Sequence, residues 1–328
     1  MARSVPWHRP GQWRVNPMYW ESEALAERAG MPPEVHLIDS TLTEGDDCVG
    51  HQLNWNTRLE LMRRLDAVGM AEITLPSHTT SDEEADLARA YRRLGCRTPL
   101  AAKGPGIDIP LAGDWRGAIA RKVDLGAETI CPIFRWSYED VISDFTGDLS
   151  PHMIVDAIGE AVRYAKRQQV RVVPWAEDSM RVRVDIVSEF FRAMADAGAD
   201  GVYAVDSRGN STPLASRLFI RRVKAAVGAC DVCVQHHNDL GVATANAIAS
   251  VEGGATWLDV TVIGIGDRGG TAALEEVAAL LEMYGVRTGI QLDALYELGC
   301  FVRDAFGVAL SPWKSIVGSS WNKEEGLG

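Results

Sequence analysis

From Val35 to about Met283, short apolar runs alternate eight times with stretches of helical spacing. No feature of the chain constrains its fold more. The runs read as strands cover 35–39, 71–75, 99–103, 129–133, 170–175, 201–205, 232–236 and 257–262. The intervening segments read as helices, at 82–94, 112–125, 151–168, 182–197, 213–227, from Val242, and from Thr271 to about Met283. The first helix follows Asn56 as its cap, places Leu61, Leu65 and Val68 on one face, and stops at Gly69. Gly-Ala-Glu at 126–128, Gly-Ala-Asp at 198–200 and Gly-Gly-Ala at 253–255 end helices just before strands. Eight such units predict an α/β chain closed as a (β/α)8 barrel, a TIM barrel; a doubly wound open sheet is the weaker alternative. The expected organisation is an N-terminal arm over 1–34, the barrel over 35–288, and a short helical extension over 289–328 with a helix at 292–306.

A chain of 328 residues with 46% hydrophobic and 24% charged residues can bury one large core. Its net charge of -12 argues against a nucleic-acid partner, which requires a basic face. No apolar run approaches 18 residues, so no membrane span is expected. The N-terminus lacks the apolar core of a signal peptide, and a cytoplasmic location is expected. Only Cys230 and Cys233 among the six cysteines have CxxC spacing. The second lies inside a strand pattern, so a buried thiol is expected rather than a zinc or redox site. Trp7, Trp13, Tyr19 and Trp20 are too aromatic for a free tail; they pack either on their own barrel or on a second subunit.

Chemistry in a β/α barrel gathers where strands end and helices begin. Asp39 and Glu44 flank the end of the first strand, and Glu72 lies on the second. Glu177 and Asp178 end the fifth, Asp206 and Ser207 the sixth, and Gln235, His236, His237, Asn238 and Asp239 the seventh. Carboxylates and imidazoles converging on one mouth can bind a divalent ion or move protons. Singly, each could equally be a cap or an ion-pair partner. Arg135 could hold a substrate carboxylate or be a surface charge, and Arg268 offers a second guanidinium near a strand end. Lys103 follows an apolar strand, where it could form a Schiff base or pair with a carboxylate. Trp136 and Trp175 are candidates for the pocket wall or for the core. The Gly264-Ile265-Gly266 stretch lacks a third glycine and is read as a tight turn, not a dinucleotide fingerprint.

These residues give the chain a resemblance to a known family. Glu72 with Leu75-Pro76-Ser77, Glu177-Asp178 with Arg181, and Asp206-Ser207 with Gly209 and Pro213 match it. So do His237-Asn238-Asp239-Leu240-Gly241 and Gly264–Val277. From about Val35 to the C-terminus the chain resembles the isopropylmalate, homocitrate and citramalate synthases. These are relatives of hydroxymethylglutaryl-CoA lyase within the DRE-TIM metallolyases. Leu295–Leu298 and Lys314–Gly318 resemble the first linker subdomain of the synthases, which tips the resemblance away from the lyases. It implies a divalent metal, a 2-oxo acid or dicarboxylate, an acyl-CoA co-substrate in some members, and a homodimer.

The departures fall at the chemistry. The family's Leu-Arg-Asp-Gly is Leu42-Thr43-Glu44-Gly45 here, so its enolate-steadying arginine is Thr43 and its metal aspartate is Glu44. Its His-x-His is Gln235-His236-His237, which keeps only His237 in register. Its asparagine in the eighth-strand motif is Thr271, and the linker histidine corresponds to Lys323. Losing one oxyanion donor costs on the order of 3 kcal/mol in other enzymes. The resemblance therefore implies a changed reaction: carbon–carbon bond making or breaking, of Claisen or aldol type, on a small 2-oxo acid. Expected metal residues are Glu44 and His237, helped by Gln235, Asp206 or water. Expected catalytic residues are Glu72, Glu177, Asp178, Thr43, Lys103 and Lys323. Arg135, Ser207, Thr271 and Arg268 are expected to bind substrate. An oxygen-rich donor set favours weakly held Mg2+ or Mn2+ over Zn2+. A non-catalytic metabolite- or partner-binding barrel and a Schiff-base aldolase using Lys103 are the alternatives.

Overall fold

The computed structural model describes residues 8–9, 13–48, 52–76, 82–107, 113–135 and 151–320, without the side chains of 8–14, 107, 135 and 151–154. The strands are β1 (His36–Asp39), β2 (Glu72–Thr74), β3 (Leu100–Ile107), β4 (Thr129–Arg135), β5, β6 (Gly201–Asp206), β7 (Asp231–His236) and β8 (Trp257–Val260). β5 comes in two pieces, Arg171–Val172 and Trp175–Glu177, on either side of Pro174. A proline has no N–H for the ladder, which accounts for the break. Every pairing between these strands is parallel. They run β3-β2-β1-β8-β7-β6-β5-β4, and β3 also pairs with β4, which closes the barrel.

Two apolar layers follow from the alternation of side chains along a strand. Ile38, Cys131, Ile133, Trp175, Tyr203, Val205 and Cys233 pack inside the barrel. Leu37, Ala102, Ile130, Val202, Ala204 and Val234 face outward into the larger core under the helices. The two cysteines of the CxxC spacing have different surroundings. Cys233 is inside the barrel, while half-buried Cys230 donates to the Ala199 carbonyl.

The helices are α1 (Ser22–Glu27), α2 (Thr41–Asp46), α3 (Trp55–Val68), α4 (Asp82–Arg93), α5 (Trp115–Asp124), α6 (Pro151–Lys166), α7 (Val184–Asp196), α8 (Pro213–Val227), α9 (Ala243–Glu252), α10 (Leu274–Met283) and α11 (Leu295–Phe306). The cap of α3 is Asn54, not Asn56: the Asn54 side chain accepts from the Thr57 N–H, and Asn56 lies within the helix. Gly69 ends it at a φ of 91°. α10 starts at Leu274, so Thr271 belongs to the loop before it. α2 was not anticipated; it leads directly out of β1 and carries Thr43 and Glu44.

Both extensions touch the barrel. Tyr19 of the arm stacks on Tyr284 with ring centroids 3.7 Å apart, and the Arg28 guanidinium covers the Tyr19 ring and donates to the Tyr284 carbonyl. These arm residues pack on their own subunit; Trp7 lies outside the described residues. At the other end, Phe306 of α11 presses on Gly45 of α2. A Cβ there would run into the Phe306 ring. The post-barrel helix thus buttresses the turn that holds Glu44.

Candidate active site

β1, β3, β5, β6 and β7 all deliver polar side chains to one cavity of about 470 Å3 at their C-terminal ends. Its lining includes Glu44, Lys103, Trp175, Glu177, Ser207 and Arg208. Gln235, His237, Asp267 and Arg268 complete the polar wall. This is the face where a β/α barrel carries its chemistry, because the loops there are free to vary while the strands stay fixed.

The floor is a buried charge cluster. The Lys103 Nζ lies 3.1 Å from Asp259 Oδ2 and 3.5 Å from Glu44 Oε1. Both contacts are ion pairs, the shorter to Asp259. The Trp175 ring face lies 4.3 Å away and adds a cation–π contact. Gln235 Nε2 donates to Glu44 Oε1 at 2.8 Å and approaches Asp259 Oδ2 at 3.4 Å. The amide must present nitrogen here, since the opposite orientation would set its oxygen against two carboxylates. The Tyr203 hydroxyl also donates to Asp259. Burial alone would lower the Lys103 pKa, but Asp259 and Glu44 outweigh it and hold the group above its ordinary value. Asp259 is pushed up, chiefly by burial, against the pull of Lys103. An ammonium held in this way has no lone pair to attack a carbonyl, which disfavours Schiff-base chemistry.

Several expected site residues therefore meet: Glu44, Lys103, Glu177, Ser207, Gln235, His237 and Arg268 line one cavity. Others do not reach it. Glu72 faces downward within the barrel, where Thr129 donates to its carboxylate and Arg171 lies 3.7 Å away. It begins a three-residue strand, too far from the strand end to enter the mouth. Thr43 donates to the Leu75 carbonyl at 2.8 Å, and the Thr271 hydroxyl is spent on Thr261 at 2.8 Å. Asp178 is in the left-handed region at a φ of 58° and is engaged by Arg181. Its backbone N–H donates to the Ser207 hydroxyl. Asp206 accepts from the N–H groups of Asn210 and Ser211, and His236 turns outward to Ser250. The Arg135 side chain, Trp136 and Lys323 lie outside the described residues.

Arg268 is also committed. It pairs with Asp239 at 2.7 Å and with Asp267, and donates to the Ser207 carbonyl. Arg208 is different. It lines the cavity and forms no ion pair among the described residues. Its position depends on Gly209, at a φ of 57°, where a Cβ would come within 2.6 Å of the Asp239 nitrogen and 2.7 Å of the His237 carbonyl. Only glycine lets the β6 loop lie this close to the β7 loop. Arg208 lies between Ser207 and Gly209 of the strand-end motif, but no local sequence signal marks it as a site residue.

The residues present do not fit a resident divalent ion. Glu44 Oε1 is occupied by Gln235 and faces Lys103, and Gln235 meets it as a donor rather than a ligand. What remains is Glu44 Oε2 and His237 Nε2, 4.0 Å apart. Among the described residues no group of three His, Cys, Asp or Glu side chains is placed to hold a metal.

The comparisons with known proteins agree with the fold. The HMGL-like family model matches residues 34–302. The chain is 32% identical over 307 residues to a homocitrate synthase of Methanopyrus kandleri, covering 93% of this chain and 74% of that protein. It is 33% identical over 303 residues to a probable 2-isopropylmalate synthase of Ignicoccus hospitalis, covering 92% and 73%. Among solved structures, the Bacillus subtilis HMG-CoA lyase superposes with a TM-score of 0.72 at 16% identity, over 85% of this chain and 96% of that one. An HMG-CoA lyase solved with coenzyme A and 3-methylmalate gives 0.68 at 14% identity, over 84% and 92%. A match over most of the barrel, with relatives above 30% identity, makes this chain a member of the HMGL-like family of DRE-TIM metallolyase barrels.

Proposed function

We propose that the protein makes or breaks a carbon–carbon bond next to the carbonyl of a small 2-oxo acid, with an acyl-CoA as the other reactant. The observation that carries this reading is that Arg208, without an ion pair among the described residues, lines one cavity with Glu177, His237 and Lys103. Arg208 holds the substrate carboxylate in its planar fork. Glu177 and His237 are the groups in reach for moving a proton. Lys103 offsets the charge of Glu44 and Asp259 on the floor, which lessens their repulsion of an anionic substrate. Thr43, fixed on a backbone carbonyl, contributes no charge to an enolate. That contact favours a second reading, an anion-binding barrel without turnover. Any magnesium or manganese that enters is weakly held by Glu44 and His237, and zinc has too few nitrogen or sulfur donors to be retained.

A panel of 2-oxo acids and dicarboxylates separates the readings. At least one should raise the melting temperature and, given an acyl-CoA, release free thiol faster than Glu177→Gln does. A shift without turnover under any acyl donor selects the binding barrel. No shift with any acid rejects the substrate class. A homodimer, as the family resemblance implies, belongs to the same proposal. Light scattering should report about twice 35.7 kDa, and a monomer mass at micromolar concentration would end that part of it.

A further inference from the structure

We infer that the Lys103 ammonium is the site's own cation, standing between Glu44 and Asp259 where a divalent ion would otherwise find its charge partners, so that the cavity binds its anionic ligand without metal. The inference deepens the proposed function and rests on it for the identity of the ligand. It starts from a buried side chain that no proton-transfer role uses. The lysine is 2% exposed, so its charge was removed from water when the chain folded. Such a charge is retained only with partners. The structure provides two carboxylates, at 3.1 and 3.5 Å, and the face of Trp175.

Two neighbours of the cluster are oriented for an organic cation. A metal ion needs lone pairs, yet Gln235 presents its N–H to Glu44, and the Tyr203 hydroxyl donates to Asp259. Both groups donate to the carboxylates instead of offering lone pairs to a metal, and they act alongside the ammonium. A divalent ion at Glu44 Oε1 would have to displace an amide hydrogen bond, and one at Oε2 would still stand near a like charge fixed in a medium of low dielectric. Gln235 and Lys103 therefore act together. The amide takes the position in which a histidine would ligate, and the lysine balances the carboxylates that would otherwise attract the ion.

Manganese is the probe, because its free ion gives a paramagnetic resonance signal that binding removes. Wild-type protein should leave that signal undiminished at equimolar ion. Lys103→Met, which keeps an unbranched side chain one atom shorter and deletes the charge, should bind Mn2+ about tenfold tighter or more. In a parallel arm, the melting shift that oxalate or pyruvate gives wild-type protein should be unchanged by EDTA. Stoichiometric Mn2+ uptake by the wild type overturns the inference. So does loss of the oxalate shift in EDTA, and so does a folded Lys103→Met that binds no more Mn2+ than wild type. Should Lys103→Met fail to fold, Lys103→Gln replaces it, and the wild-type arms decide alone if neither folds. If no acid binds at all, the proposed substrate class fails while the manganese arms still decide the role of Lys103.

Discussion

Arg208→Ala should weaken binding of a small 2-oxo acid by roughly tenfold to a hundredfold while leaving the unliganded protein intact. The magnitude follows from losing a charge-assisted, bidentate contact, worth about 1.5–3 kcal/mol where the partner is a carboxylate. The selectivity follows from position. Arg208 is exposed and forms no ion pair among the described residues, so removing it frees no buried partner. Stability should change by less than about 0.5 kcal/mol, the usual range for a surface substitution. Arg268→Ala is the contrast. That guanidinium ties Asp239, Asp267 and the Ser207 carbonyl together, so its loss should loosen two loops and lower the melting temperature before any ligand is added. Titration calorimetry with the best-shifting acid checks the first claim. An unchanged dissociation constant in Arg208→Ala would remove this arginine from the site. Arg208→Lys should recover only part of the affinity, because an ammonium keeps the charge but not the planar fork.

The barrel was legible in the chain because its signal is periodic and long. Seven of the eight strands lie within a few residues of the apolar runs that announced them, and the fifth was broken only by Pro174. The site was legible in part, for a different reason. A residue's place at a strand end can be read locally, but the direction of its side chain cannot. Glu72 on a strand and Glu44 beside a strand end both read as site carboxylates. One proved to be at the beginning of a three-residue strand and faces the barrel floor; the other rides on α2, a helix of six residues too short to announce itself. Lys103 was singled out, and pairing with a carboxylate was one of its two readings. Which carboxylate depended on β1, β3 and β8 closing against one another. Asp259 was invisible for the same reason: inside an apolar strand run it looked like an ordinary strand position, and only barrel closure sets it against Lys103, Gln235 and Tyr203. Thr43 and Thr271 were marked by departure from a family pattern, but their hydroxyls are satisfied by a backbone carbonyl and by Thr261. Substitution at a functional position thus located the site without revealing what the new residue does.

Asp259→Asn should be among the most damaging conservative changes in the barrel interior. Asp259 is 1% exposed and lies closer to the Lys103 ammonium than Glu44 does. Asparagine has nearly the same shape and can still accept from Tyr203, so packing changes little. What changes is the charge balance, since Lys103 is left with Glu44 alone at 3.5 Å and an amide dipole beside it. Removing one partner of a buried ion pair costs about 3–5 kcal/mol, because the other charge stays buried and uncompensated. The double variant Lys103→Met/Asp259→Asn removes both charges together and leaves Glu44 on its Gln235 hydrogen bond. Exchanging a buried pair for neutral groups of similar volume is often close to neutral. The double variant should therefore be more stable than Asp259→Asn, and far more stable than the sum of the two single losses. Denaturant unfolding of the four proteins yields the coupling energy directly. A loss below about 1 kcal/mol in Asp259→Asn, or strict additivity in the double variant, would mean that Lys103 is not held as a charged group by these carboxylates. In that case the cluster would be an ordinary polar contact, and both the barrier to imine chemistry at Lys103 and its claim to stand as the site's cation would disappear together.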